Sequence, residues 1–545
     1  MDGEGPRVVA TDKGPTLLVG GIPFYAPDDP VGSAARRAAA VPLEPRTLVY
    51  VPSVGLGHGL AELLARLPPE CAVLCVEIDQ RVMGLAAARG LPADPRLRVV
   101  RTADELGAVA CLQALGPGRF RRVREAALSG GWRTAPLRYR AFREALELTL
   151  RTWWRNRMTL VVLGGRLVRN LLDNLPLLAA AGDAADLATD LPVVAAGAGP
   201  SLDAVIPVLR AVRGRCALVA ADTALPALAA SGLAPDLVVC LEAQQANLRD
   251  FLPARPSSTR LACELAGHPG AARLFSGRLS LFSTTFAPLG LLDRLESAGL
   301  APLRVPGLGS VGVAAAWTAL RLTGSGVYLA GLDFSYPRGC THARGTPPHL
   351  GALIEASRFT PPGHAAAAAL ARRAMSWHAS AGPGRVRSDA VLLSYRDLLE
   401  TVVRDDGIAR EAPRVFSVGG VGLSCGAPVV EPEELDGLLP ARGQCASPGV
   451  RETRRRRADP SAVRAFLAAE AGLLDEATVM AKDLMSSTRS ATDSELRLAD
   501  AVGHAWLQFP DEPDLGSRSF LARAIPALAS CRARVVRASE AVAAG

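Results

Sequence analysis

The chain has 545 residues, 49% of them hydrophobic, more than one core can hold, so two to four domains are expected. Its ten cysteines are scattered without a Cys-x-x-Cys pair, which excludes a disulfide frame or a zinc site and predicts reduced core thiols of a cytoplasmic protein. The net charge of +8 is almost wholly arginine, only Lys13 and Lys482 being lysines, and is spread along the chain, so no nucleic-acid partner is expected.

The single basic cluster, Arg454–Arg457, reads as a solvated linker or helix start. No apolar stretch approaches the roughly 18 residues of a membrane span. The start, Met1 to Arg7, has neither a basic segment nor an apolar core, so no signal peptide and a cytoplasmic location are expected.

Residues 1–125 read as a Rossmann-like accessory domain. Arg46–Val51 is a strand, Gly55-Leu-Gly-His-Gly59 a glycine turn, Leu60–Leu67 a helix, and Cys71–Val76 a second strand ending in Glu77-Ile-Asp79. An acid there commonly holds a ribose, and the order is similar to that of methyltransferases that bind S-adenosylmethionine. No methyl-acceptor site follows, so a scaffold without cofactor is the reading adopted. Residues 126–190 are a helical connector in which Trp153, Trp154, Leu160, Val161, Leu167 and Leu171 form a buried face.

Residues 191–445 carry the most informative run, Leu191 to Asp203. Val193–Ala196 is a buried strand, Gly197 and Gly199 permit a tight turn, and Pro200, Ser201 and Asp203 start a helix. A helix tip of this kind favours a phosphate, and a purely structural turn is the plain alternative. Further strands are read at Cys216–Ala221, Leu237–Leu241, Leu279–Phe282 and Val327–Leu332, with a second glycine turn at Gly307–Gly312 before the helix Val313–Leu322. Alternation of this kind predicts an α/β fold with a doubly wound, Rossmann-like parallel sheet and a ligand beyond the carboxyl ends of its strands. Gly197, Gly199, Asp222, Glu242, Ser310 and Asp333 all fall at those ends. Glu264 and His268, after another possible strand, are weaker candidates. Pro337 to Pro362, rich in Gly, Pro, Arg and His, reads as a mobile lid loop, Ala365–Ser376 as a helix and Val415–Val421 as a last strand. Residues 446–545 form a helical appendage, broken at Phe509-Pro510.

Gly197-Ala-Gly-Pro-Ser-Leu202, Ala220-Ala-Asp-Thr-Ala224, Pro235-Asp236, Gly309-Ser-Val311 and Gly331-Leu-Asp-Phe-Ser-Tyr336 with Thr341-His-Ala343 resemble the motility accessory factor (Maf) family. The segment Val386-Arg-Ser-Asp389 through Tyr395 and Glu400 resembles that family's returning helix. At the start, Gly14-Pro-Thr16, Asp28-Asp-Pro30 and Gly55-Leu-Gly57 resemble its amino-terminal domain. The family's central domain is also called pterin diphosphokinase-like, and the motif pair is similar to that of bacterial sialyltransferases using CMP-sialic acid. The Leu241-Glu-Ala-Gln-Gln245 segment departs from the strand end expected of the family.

The resemblance implies transfer of a nonulosonic acid, of pseudaminic or legionaminic type, from a CMP-linked sugar to Ser or Thr of flagellin, with no cofactor. Two alternatives stand beside it: diphosphate transfer from ATP with Mg²⁺ to 6-hydroxymethyl-7,8-dihydropterin, with the metal on Asp222, Glu242 or Asp333, and a non-catalytic nucleotide-binding motility protein. No Gly-x-x-x-x-Gly-Lys-Ser/Thr loop, His-Glu-x-x-His helix or Asp-x-Asp occurs, so metal-independent transfer is preferred. In that reading Gly197, Ala198, Gly199, Pro200 and Ser201 hold the donor phosphate, and Asp222 and Thr223 contact ribose or cytosine, with Glu242 and Ser310 beside them. Tyr336, Arg338 and Arg344 stabilise the leaving phosphate, His342 or His349 is the base, and Asp333 orients the lid or a sugar hydroxyl. The plainer alternatives stay open: Ser201 and Asp203 as helix starts, Asp222 as a helix cap, and Tyr336 as a cap on the sheet edge.

Overall fold

The structure, a computed structural model, describes residues 5–252, 258–287, 289–408, 412–441, 449–454, 457–510 and 513–544. Of the Arg454–Arg457 cluster, Arg455 and Arg456 lie outside these. Two compact units are present, the first running from the start to Val162 with Pro510, the second comprising Leu163–Phe509 and the chain from Pro513.

In the first unit, four parallel strands lie in the order Leu97–Val100, Ala72–Val76, Thr47–Pro52, Arg122–Glu125. Thr47–Pro52 and Ala72–Val76 are buried throughout because helices cover both faces. Val49, Val51, Val73 and Cys75 pack with Leu60, Leu63 and Leu64 on one side. Leu48, Tyr50, Leu74 and Val76 pack with Leu112, Phe142 and Leu146 on the other.

The stretch expected as a helical connector is dominated by one helix, Pro136–Asn174. Its first turns give Tyr139, Phe142, Leu146 and Leu150 to the core of the first unit. Its last turns belong to the second unit.

The second unit is built on a parallel sheet ordered Leu303–Val305, Leu279–Thr284, Arg260–Glu264, Leu237–Cys240, Ala217–Ala221, Val193–Ala196, Val327–Ala330, Val415–Val418, Val429–Val430. The chain winds outward from Val193–Ala196 in one direction, then returns to add Val327–Ala330 on its other side. The switch point therefore lies between those two strands. Both are buried throughout, as apolar runs covered on both faces should be.

Three elements differ from the sequence reading. The supposed lid loop contains the helix Pro347–Ile354. The next helix is Pro362–Ala371, ending five residues earlier than expected. After it, Met375–Ala379 pairs antiparallel with Arg385–Asp389 across Gly382-Pro383-Gly384. The expected returning helix is Ala390–Gly407, and it packs Leu399, Tyr395 and Leu398 into the core that includes Val311–Leu322.

At the end of the chain, Pro460–Ser486 and Arg518–Ala544 pack along one another, with Leu467, Leu474, Leu521 and Leu528 buried. The buried Glu470 pairs with Arg294 at 2.5 and 2.7 Å and ties this appendage to the sheet unit. Among the described residues no helix is long and apolar enough to cross a membrane.

Candidate functional site

At the switch point the glycine turn closes on the end of the neighbouring strand. Gly197 N–H donates to Ala330 O and Gly199 N–H to Gly331 O, both at 2.8 Å. Asp333 accepts the Ser201 N–H at 2.8 Å and also the Ser201 hydroxyl. Pro200 has no N–H to offer. Of the phosphate-gripping tip expected of Gly197, Ala198, Gly199, Pro200 and Ser201, the N–H groups of Gly197 and Gly199 are thus taken by backbone carbonyls and that of Ser201 by the protein's own carboxylate. The glycines are required by this packing. A Cβ on Gly199 would lie 2.6 Å from Asp333 Oδ2 and 2.7 Å from Gly331 O.

Ala343 N–H donates to Ala198 O at 2.9 Å, which lays His342 against the same turn. His342 Nδ1 is buried without a hydrogen-bond partner. Burial, with the Arg373 charge, lowers the imidazole below its ordinary range, so it is neutral at neutral pH.

Arg373, whose charge reaches His342, belongs to a three-membered network. Tyr336 Oη donates to Asp389 Oδ2 at 2.8 Å, and Arg373 Nη1 donates to Tyr336 Oη and Asp389 Oδ2, both at 2.6 Å. Tyr336 N–H bonds Arg387 O at 2.9 Å, so the hairpin fixes the ring. Asp389 Oδ1 caps the helix Ala390–Gly407 through Val391 and Leu392 N–H at 2.9 and 3.0 Å. Burial and then Asp389 push the Tyr336 phenol up to about 12, so it acts as a donor and not as a base. Against the cost of its own burial, the Leu392 N–H, Arg373 and Tyr336 hold the Asp389 carboxyl below its usual range. Arg373 is 49% exposed, and among the described residues only its Nη1 is engaged.

Sequence reasoning assigned no role to Arg373 or Asp389. Asp389 stood within the quoted returning segment, whereas Arg373 is one arginine in an arginine-rich chain and gives no signal.

The other predicted residues do not join this network. Asp222 is fully buried and accepts Thr223 N–H at 2.8 Å and Asn247 Nδ2 at 2.9 Å, so it orders the turn Asp222–Ala224 and is closed to ribose or cytosine. Arg344 N–H bonds Asp203 Oδ1 at 2.9 Å, His349 Nδ1 accepts Gly345 N–H at 3.1 Å, and Arg338 is exposed at φ 50°. These three shape the loop, and the cation beside Tyr336 is Arg373. Ser310 stands at the start of Val311–Leu322 with no side-chain bond to it. Glu242 is exposed on the rim, and Tyr395 is raised by burial and then by the carboxylates of Glu242 and Asp389.

Among the described residues no three His, Cys, Asp or Glu side chains are placed to hold a metal. Of Asp222, Glu242 and Asp333, assigned to Mg²⁺ in the diphosphokinase alternative, Asp222 and Asp333 accept internal donors.

In the first unit, Glu77 is 2% exposed. It accepts Ser53 Oγ at 2.7 Å and Tyr139 Oη and Asp79 N–H at 3.2 Å. The acid in the ribose position is satisfied by the protein itself.

Residues 169–339 match the family model described as 6-hydroxymethylpterin diphosphokinase MptE-like. An uncharacterised protein of Treponema pallidum (strain Nichols) is 32% identical over 356 residues, covering 63% of this chain and 61% of that protein. The chain thus spans about three fifths of the length of this curated relative. The solved structure of MAf glycosyltransferase from Magnetospirillum magneticum AMB-1 is similar over 98% of this chain and 89% of that one, with a TM-score of 0.53 and 16% identity. The fold is thus similar to that of a Maf glycosyltransferase, and the family model is that of the pterin diphosphokinase-like domain named with the motif resemblance. The matched domain holds the glycine turn and Tyr336, while His342, Arg373 and Asp389 lie beyond its last residue.

Proposed function

We propose that the chain is a glycosyltransferase whose reaction centre is His342 with Tyr336, Arg373 and Asp389. The donor would be a CMP-linked nonulosonic acid and the acceptor a Ser or Thr hydroxyl of flagellin. The observation that carries this is the unpartnered Nδ1 of His342, a neutral imidazole within the field of a cation held by a tyrosine and a carboxylate. A buried nitrogen without a partner costs about 1–3 kcal/mol, and at His342 it stands next in sequence to the residue that bonds the glycine turn.

His342 would accept the acceptor's proton as the hydroxyl attacks the sugar. Arg373, fixed by Tyr336 and Asp389, would stabilise the charge growing on the departing phosphate. The similarity in fold to a Maf glycosyltransferase supports the reading, and the motif resemblance supplies the sugar and the acceptor.

The test is incubation of the full chain with CMP-pseudaminic or CMP-legionaminic acid and flagellin, followed by CMP release and the mass of flagellin. His342→Ala and Arg373→Ala should each lower kcat roughly 100-fold or more while leaving the melting temperature unchanged. Transfer at full rate by both variants would overturn the assignment.

The MptE-like match favours a second reading, diphosphate transfer to a hydroxymethylpterin. ATP with Mg²⁺ raising the melting temperature where CMP does not would select it.

A further inference from the structure

Past the carboxyl ends of Leu237–Cys240 and Arg260–Glu264, two cavities of about 450 and 470 Å³ open between the rim loops, the last turns of helix Pro136–Asn174 and the end of helix Arg518–Ala544. Asn170, Asp173, His268 and Arg534 line both, so they are two lobes of one cleft. Each lobe has the size of a small-molecule site, typically about 300–1,000 Å³.

The cleft is strongly cationic. Arg166, Arg169, Arg273, Arg534 and Arg537 face a single carboxylate, Asp173. That carboxylate is already used, since Arg534 Nη1 reaches both of its oxygens at 2.7 and 2.6 Å. The other four guanidiniums have no carboxylate partner among the described residues.

The walls are fixed in advance. Asn170, 7% exposed, donates to Ala243 O at 2.9 Å and Ala266 O at 3.1 Å, pinning together the two rim loops. Asn174, one turn further, holds Leu265 O and Gly267 O at 2.9 Å each. His268 Nδ1 accepts Gly270 N–H at 3.1 Å, which leaves the proton of the neutral ring on Nε2, available to a ligand. Burial and the charges of Arg273 and Arg166 keep that ring neutral.

We infer that this cleft binds a small phosphate-bearing anion through Arg166, Arg273, Arg537 and His268, apart from the His342 centre, with which it shares no residue. Guanidinium groups pair with phosphate through parallel N–H bonds, and unpaired arginines converging on a prebuilt wall suit a dianion. The side chains lining the cleft offer no phenyl or indole ring to stack a base, so the phosphate itself is what is recognised. Pyrophosphate, a nucleotide's phosphate tail and a sugar phosphate share that chemistry. The inference does not rest on the glycosyltransferase reading.

The experiment is titration calorimetry of the full chain with sodium pyrophosphate at constant ionic strength, with ADP and a sugar 1-phosphate as separate arms. One saturable site is expected, weakened roughly tenfold or more in the Arg166→Gln/Arg537→Gln double variant and unchanged in Arg372→Gln. Both altered arginines are carboxylate-free, so the melting temperature should hold; Arg273→Gln, on the helix Pro269–Leu274, gives a second route to the same loss. Equal affinity for ADP and pyrophosphate identifies a phosphate tail as the source, and tighter sugar phosphate binding identifies a sugar ester. No saturable heat at millimolar ligand, equal binding by the double variant, or tighter binding of a single-stranded oligonucleotide than of pyrophosphate overturns the inference.

Discussion

Gly199 shows how far a single residue can be read. Its Cα faces the Asp333 carboxylate and the Gly331 carbonyl so closely that no side-chain atom fits. Gly199→Ala should therefore cost about 2 kcal/mol or more, since backbone on one side cannot yield, and urea unfolding would measure it. An unchanged midpoint would show that the two turns separate freely. The sequence displays both motifs, Gly197 to Ser201 and Gly331 to Tyr336, and from each alone a ligand is the natural partner. Their true partners are each other, through the contact of Ser201 with Asp333 across 132 positions of the chain. Periodicity and turn chemistry carry no information over such a separation, so the turns were legible and their closure was not.

The hairpin Met375–Ala379 with Arg385–Asp389 makes the same point for elements. Buried strands such as Val193–Ala196 declare themselves as continuous apolar runs. Met375–Ala379 has no buried residue, so it lacks the alternation that marks a half-buried strand, and the preceding alanine run extends the helical reading into it. Yet this hairpin delivers Asp389, which caps one helix with Oδ1 and holds Tyr336 and Arg373 with Oδ2. The two duties separate by substitution. Asp389→Asn keeps a good N-cap and should leave the melting temperature near that of the parent while lowering transfer, because Arg373 loses its counter-charge. Asp389→Ala should lose transfer and about 1 kcal/mol of stability together. If Asn and Ala variants lose kcat and stability in the same proportion, Asp389 is only a cap.

Across the second unit, groups buried against their ionic preference impose opposite pH dependences. Burial raises Glu264 and Asp250 to about 7 and lowers His504 to about 3. Between their ordinary unfolded pKa and about 7, the folded state holds protons on Glu264 and Asp250 that the unfolded chain has released. Their contribution to stability thus falls as pH rises through that window and is level above it. For His504 the unfolded chain binds the extra proton between about 3 and the ordinary histidine value, so its contribution is lost as pH falls through that window. Neither ring nitrogen of His504 has a hydrogen-bond partner, which means an apolar replacement sacrifices no bond. Relative to the parent, Glu264→Gln should gain roughly 1–3 kcal/mol as pH rises from about 4.5 to 7, and then no more. His504→Leu should gain instead as pH falls from about 6.5 toward 4. Guanidinium unfolding of parent and variants across that range separates the two effects. Stability curves that stay parallel throughout would mean that water reaches both groups, and that the packing around them is looser than their burial implies.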